Sequence, residues 1–283
     1  MILLKGIGND KMGFKNLLPP IVTDFIRRNR KIITYKNYAE ALSFCTMNAY
    51  QNEELCNMIA DKTLIHIESL TERPFTLNPT TVYLAFALNY FVNAYGKKNI
   101  TVLDFGGACG SHYYEVRNIL PETILLKWIV IETEQMIKSA ISGGFANGEL
   151  SFTSQIGDAT ASVDFVHSSS ALQYVPAPYE FLKRLINVEA KIVLLNRMMF
   201  NKNDYDIITV QRSFLSSNGP GKLPSKYTDR PIMYPHTTMA FNRLNLMMAE
   251  NGYECLSEFD EPSGKFSLGK EEILGKGLLF VKS

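Results

Sequence analysis

With 283 residues, 46% of them hydrophobic and 20% charged, the chain is long enough to bury a sizeable core and too apolar to be a disordered one. Its 29 Lys and Arg against 28 Asp and Glu leave a net charge of +1, so no broad basic field is present to neutralise phosphates and a nucleic-acid partner is not expected. The four cysteines, Cys45, Cys56, Cys109 and Cys255, include no Cys-x-x-Cys pair; neither a zinc cluster nor a disulfide framework is expected, and a reducing cytoplasm fits.

The chain opens with an apolar stretch, LLPPIVTDFI (Leu17 to Ile26), followed by four cations in RRNRK (Arg27 to Lys31). An arm folded on its own domain with a solvated charge run is the favoured reading. Weak peripheral contact with an anionic membrane surface is the competing one, at about 1 kcal/mol per basic residue. No secretory signal and no apolar run of spanning length is found. Helical spacing then dominates from Tyr35 to Gly96. Tyr38, Ala41, Leu42 and Cys45 mark one amphipathic helix, and Leu55, Ile59, Leu64 and Ile65 a second. In the third, TVYLAFALNYFVNAYG, Asn78 caps the start, Pro79 fits the first turn and Gly96 ends it; apolar residues all round predict a buried helix. Residues 1–96 read as an arm and helical cap, and 97–283 as the ligand-binding domain.

That domain is organised around ITVLDFGGACGS (Ile100 to Ser111). Ile100, Val102, Leu103 and Phe105 form the near-continuous apolar run of a strand covered on both faces. Asp104 and Phe105 close the strand, and Gly106, Gly107, Ala108, Gly110 and Ser111 follow, with small side chains that let backbone N–H groups approach a ligand. A nucleotide-like ligand is expected, although such turns also serve only to pack a helix on a sheet. The dinucleotide spacing fails, because its three glycine places hold Gly106, Ala108 and Ser111. Cys109 reads as a small neutral filler of the loop.

Beyond the loop, Ser111 to Leu120 is a predicted helix, and Lys127 to Ile131 the second strand. Glu132 stands at its carboxyl end, where a carboxylate can accept hydrogen bonds from both ribose hydroxyls. Leu150 to Phe152 begins a third strand. Val163 to Ser168 is the fourth, and it places Ser168 to Tyr174 beside the crevice beyond the carboxyl ends of the strands. A helix to Val188 and a fifth strand, Ala190 to Asn196, lead to Arg197, which either holds an anionic acceptor or pairs with a surface acid. Met198 to His236, rich in Gly and Pro, is expected to be a long loop acting as an acceptor-site lid. A helix from Thr237 to Asn251 and strands Tyr253 to Phe259 and Gly277 to Lys282 complete the chain.

Read as acid-x-Gly-x-Gly-x-Gly, the loop holds Asp104, Gly106, Ala108 and Gly110, with alanine in one glycine place, and it resembles motif I of the class I S-adenosylmethionine-dependent methyltransferases. The resemblance implies an α/β Rossmann-like sheet, mostly parallel with one antiparallel edge strand, carrying an N-terminal helical extension. It implies S-adenosylmethionine as cofactor, with Asp158 accepting from the adenine amino group and Ala159, Thr133 and Ser168 beside the ligand. More narrowly, LDFGGACGS, WIVIET, HSSSALQYV, LLNRM and the Tyr234-Pro235 pair resemble a family of methyltransferases associated with surface-polysaccharide and lipopolysaccharide biosynthesis, which implies a sugar or glycan acceptor. Two departures stand out: Thr133 replaces a glutamine after the ribose acid, and Asn196 precedes Arg197 where an acid is commoner. Methyl transfer needs an acceptor held in line and, for a hydroxyl, a base. The candidates are His112, Tyr174, Arg197 and His236, while His167, on a central strand, reads as a hydrogen-bonded core residue. No metal constellation is expected. Two alternatives stay open: a nicotinamide-dependent sugar-modifying enzyme, and a non-catalytic nucleoside-binding or scaffolding protein.

Overall fold

A computed structural model describes residues 32–45, 49–158 and 162–283, with positions 49, 158 and 262–267 described in backbone only. The N-terminal arm with its Leu17 to Lys31 patch, and Ala159, lie outside the described residues.

The apolar runs become the expected parallel strands. β1 (Asn99–Phe105) pairs with β2 (Leu125–Ile131) on one side and β4 (Phe165–Ser169) on the other; β3 (Leu150–Thr153) extends beyond β2, and β5 (Ile192–Asn201) beyond β4. In the order β3-β2-β1-β4-β5 all neighbours are parallel. Two strands close the sheet: β9 (Glu271–Lys282) runs antiparallel to β5, and β8 (Tyr253–Leu268) runs antiparallel to β9. The reversed strand is therefore β9, next to the edge, and the edge itself is β8.

Side-chain alternation divides the core into two layers. Leu103, Ile129, Ile131, Val166, Val193 and Leu195 face α6 (Pro178–Ile186) and α7 (Phe241–Glu250) through Leu182, Leu185, Leu244 and Met248. The intervening Val102, Trp128, Val130, Phe165 and Leu194 face α3 (Pro79–Tyr95) and α4 (Ser111–Arg117) through Leu84, Leu88, Phe91 and Val116. Each such aliphatic side chain contributes about 1.5–3 kcal/mol by burial. A third cluster joins α2 (Glu53–Ser69) to α5 (Glu134–Ser142) through Leu55, Met58, Ile59, Met136 and Ala140.

The cap helix α3 keeps its expected ends: the Asn78 side chain accepts from the Thr81 N–H, and Gly96 closes the helix at φ 63°. It is not buried all round, because Val82 and Phe86 are about half exposed and only one face meets the sheet. The two cap helices lock onto α4 through Glu115, which is buried, pairs with His66 at 2.6 Å, and accepts from the Thr81 hydroxyl and the Asn78 amide. The first predicted helix is shorter than expected: α1 spans Tyr38–Ser43. Among the described residues no helix is long and apolar enough to cross a membrane.

The expected long loop over Met198 to His236 is corrected to a strand extension and a β-hairpin. β5 continues to Asn201, and a hairpin follows, β6 (Ile207–Phe214) pairing antiparallel with β7 (Pro231–Ala240) from Ile207↔Thr238 to Phe214↔Pro231. Its prolines disguise it. Pro231 and Pro235 fit because β7 pairs with β5 only at Met239 and Ala240, so the missing N–H groups cost no second ladder. The next helix accordingly starts at Phe241 and not at Thr237.

Candidate active site at the carboxyl ends of the parallel strands

β2 and β3 lie to one side of β1, β4 and β5 to the other, so the direction of strand order reverses between β1 and β4. A ligand crevice is expected beyond the carboxyl ends at such a switch point. The Gly-rich turn follows β1 there, and Ser169 to Tyr174 follow β4.

The turn is built by close approach. Gly106 takes φ 73° and a Cβ on it would stand 2.2 Å from the Ala171 Cβ; a Cβ on Gly107 would stand 2.4 Å from Asp104 Oδ2; one on Gly110 would meet Leu150 at 2.7 Å. The glycines are thus required by packing of the loop on its neighbours. Ala108, at φ 50°, keeps a left-handed turn that glycine would adopt at less cost. Cys109 is fully buried against Met136, and burial pushes its thiol up to about 12, as suits an inert filler.

Glu132 reaches from the end of β2 to the turn. One carboxylate oxygen accepts the Ala108 N–H at 3.1 Å and the other accepts the Thr133 N–H at 2.9 Å. Desolvation pushes the carboxyl up to about 7, against the pull of those two backbone donors. Thr133 is engaged in structure: its hydroxyl accepts from the Met136 N–H at the start of α5 and donates to the Tyr50 carbonyl at 2.9 Å. The backbone of Gly157 and Asp158 forms a 3-10 turn after β3, as the Gly-Asp turn predicts.

Asp104 sits under the loop rather than in its mouth. It is completely buried; Oδ1 is 2.8 Å from His167 Nδ1, and Oδ2 accepts the Trp128 indole N–H at 3.2 Å and lies 3.6 Å from His112 Nδ1. Burial alone would raise its pKa, but His167 and His112 outweigh it and hold the carboxyl well below the ordinary range. The rings of His112 and His167 meet edge to face at 4.8 Å. Burial tends to neutralise His112, yet Asp104 and Glu115 prevail and raise its pKa; in His167 burial prevails and lowers it. Ligand atoms of Asp104, His112 and His167 fall within 4.8 Å of one another. Within this cluster Asp104 is hydrogen-bonded to His167 and Trp128, while His112 Nδ1 lies at ion-pair distance and is buried without a hydrogen-bond partner among the described residues.

Ser168 and Ser169 divide roles by alternation. Ser168 is buried and donates to the Phe105 carbonyl at 3.2 Å, whereas Ser169 Oγ is buried with no partner among the described residues. Both serines belong to the Ser168 to Tyr174 stretch that the sequence places beside the crevice; Ser168 Oγ is satisfied internally and Ser169 Oγ is not.

Three tyrosines, Tyr50, Tyr174 and Tyr234, pack together after β4. Tyr174 lies 6.1 Å from Tyr50 and 5.2 Å from Tyr234 between ring centroids, and 5.3 Å from His236. Tyr174 donates to Gln211 Oε1 at 3.1 Å, and the neighbouring His236 is a neutral ring, its pKa lowered by burial to about 4. Tyr50 comes from the cap and is missed by periodicity, since it lies in a 3-10 turn outside both predicted helices. Arg197 leaves β5 at a bulge beside this cluster, where its charge acts on all three tyrosines.

The sheet order, the reversed β9 and the glycine turn after β1 define an α/β fold of the class I methyltransferase type. No family model and no curated protein matches the sequence. Among solved structures the chain is similar to an amino pentose methyltransferase from Micromonospora echinaspora involved in calicheamicin biosynthesis, at 10% identity and TM-score 0.47, covering 77% of this chain and 97% of that one. It is also similar to the CcbJ methyltransferase from Streptomyces caelestis (10% identity, TM-score 0.45, 80% and 99% covered). The magnesium protoporphyrin IX methyltransferase from Synechocystis shows 13% identity and TM-score 0.41, with 84% and 100% covered.

Proposed function

We propose that the protein is an S-adenosylmethionine-dependent methyltransferase acting on a hydroxyl of a sugar or glycan precursor, with residues 97–283 holding the cofactor and residues 1–96 covering it. The observation that carries this reading is Glu132: its carboxylate is fixed beside the glycine turn by Ala108 and Thr133, one N–H on each oxygen. A carboxylate offers about four acceptor positions. Two remain for ribose hydroxyls. The unpartnered Ser169 hydroxyl at the end of β4 supplies a further polar group that a ligand in the crevice would satisfy.

When bound, the cofactor supplies an electrophilic methyl group on a sulfonium. Glu132 would hold its ribose and the Gly106 to Ser111 turn its amino-acid end. The chain's own chemistry is positioning and proton removal. His112, whose Nδ1 lies 3.6 Å from Asp104 Oδ2 and whose pKa Asp104 raises, would take the acceptor's proton, and the Asp104 carboxylate would stabilise the imidazolium that forms. The tyrosines offer flat, neutral walls for a ring, and burial pushes the Tyr174 hydroxyl up to about 12, which keeps it protonated as a donor.

The test is titration of S-adenosylhomocysteine, followed by incubation of labelled S-adenosylmethionine with nucleotide-sugar and lipid-linked glycan pools. Micromolar binding that Glu132→Ala abolishes, with label moving to a glycan product, is expected. Binding without transfer to any pool would favour a nucleoside-binding protein instead, and stabilisation by NAD in place of S-adenosylhomocysteine would sink both.

A further inference from the structure

We infer that the methyl acceptor carries an oxyanion, a carboxylate or a phosphate, and that Arg197 is the residue that binds it; the inference rests on the acceptor site proposed above and specifies its substrate class.

The argument starts from the backbone. Between Leu195 and Met198 the β5–β9 register slips, so Asn196 and Arg197 together face the single residue Gly277. This is a β-bulge, a device that re-aims a side chain. Arg197 takes φ 55°, a left-handed conformation that is strained for a residue with a side chain and persists only where its surroundings enforce it. Buried groups enforce it here. The Arg197 N–H donates to Glu261 Oε1 at 2.8 Å, and the Arg197 carbonyl accepts from Gln173 Nε2 at 3.1 Å. The other end of the same Gln173 amide accepts the Met199 N–H, so one side chain spans the bulge. Gln173 is 1% exposed and Glu261 6%. Gly277 completes the fit, because a Cβ there would stand 2.9 Å from Asn196 Oδ1.

What this scaffold presents is a cation without a partner. The Arg197 side chain is exposed, and among the described residues its guanidinium makes no hydrogen bond and no ion pair. The Arg197 backbone is bonded to Gln173, whose neighbour Tyr174 packs on Tyr50, Tyr234 and His236, so the cation belongs beside that cluster, and its charge acts on Tyr50, Tyr174, Tyr234, His112 and Glu261. Burial raises the three tyrosine hydroxyls and lowers His236 to about 4, so these groups stay neutral, and the one carboxylate in the field, Glu261, is bonded to the Arg197 backbone N–H rather than to the guanidinium. A guanidinium is planar and offers paired donors that match a carboxylate or phosphate edge to edge. A neutral acceptor would leave a strained and clamped cation without a use.

The test titrates three probes, glucuronate, glucose 1-phosphate and glucose, into the full chain, with and without saturating S-adenosylhomocysteine. The two anions separate carboxylate from phosphate as the source. At least one anion is expected to bind ten times or more tightly than glucose; Arg197→Gln should abolish that preference and Arg197→Lys should keep only part of it. Affinity for S-adenosylhomocysteine should change less than threefold in either variant. Equal affinity for glucose and both anions, or a preference that survives Arg197→Gln, overturns the inference. Loss of S-adenosylhomocysteine binding in the unsubstituted protein would sink the cofactor reading instead, and the anion preference would still be read from the titrations without it.

Discussion

The Ala108 N–H points at Glu132 Oε1 across 3.1 Å, joining the turn after β1 to the end of β2 by one charge-assisted bond. Ala108 is also the residue that stands in a glycine place of the motif, so the departure from the glycine pattern and the acid proposed to hold the ribose meet at one contact.

This contact predicts a pH dependence. The Glu132 carboxyl is raised from 4.5 to about 7 by desolvation. Between those values the folded chain keeps a proton that the unfolded chain has lost, so stability declines by about 3 kcal/mol as pH rises through the window. Ribose hydroxyls donate to the ionised form. Affinity for S-adenosylhomocysteine should therefore fall about tenfold per unit below pH 7 and level off above it, and calorimetric titration from pH 5.5 to 8.5 should show Glu132→Gln binding weakly at every pH.

His112 sets a second profile. Asp104 raises its pKa above 6.5 despite burial, and the base acts in its neutral form. Turnover under subsaturating acceptor should fall on the acid side of a pKa above 6.5. His112→Gln should lose roughly 10²–10⁴-fold in kcat while binding S-adenosylhomocysteine within threefold of the unsubstituted protein. Unchanged turnover would remove His112 from the chemistry.

Gly106→Ala should be costly. Its Cβ would stand 2.2 Å from Ala171 at a φ of 73°, and overpacking with left-handed strain amounts to about 2–4 kcal/mol. Gly148→Ala is the control, since a Cβ there meets nothing within 4 Å. Urea midpoints should separate the two.

Lys62 should prove structural. It is fully buried in α2, and Nζ donates to the Ser216 and Asn218 carbonyls at 2.6 Å each, tying the cap to the β6–β7 hairpin. Lys62→Met leaves both carbonyls unsatisfied and should cost about 2–4 kcal/mol, with faster amide exchange at Leu215–Ser217.

Local signals made much of the fold legible. Asn78, Pro79 and Gly96 gave both ends of α3, because caps act within a few residues of themselves. Strands β1, β2 and β4 were readable because both faces are covered and the apolar run is nearly unbroken. The β6–β7 hairpin was not, because its prolines and Asn-Gly-Pro-Gly stretch look like breakers until the pairing partner is known.

The sequence by itself determined the β1 strand, the glycine turn after it and the acid at the end of β2, since residues near in the chain carry those signals: an apolar run, small residues, and Glu132 one strand further on. Tertiary structure decided what lies around them. It brought His167 opposite Asp104 in the β1–β4 register, making that acid a buried hub, and it brought Gln173 and Glu261 to Arg197 from segments far away in sequence. Hydrogen bonds and ring contacts between distant segments leave no periodic trace along a chain, because their geometry exists only once the sheet has set the register.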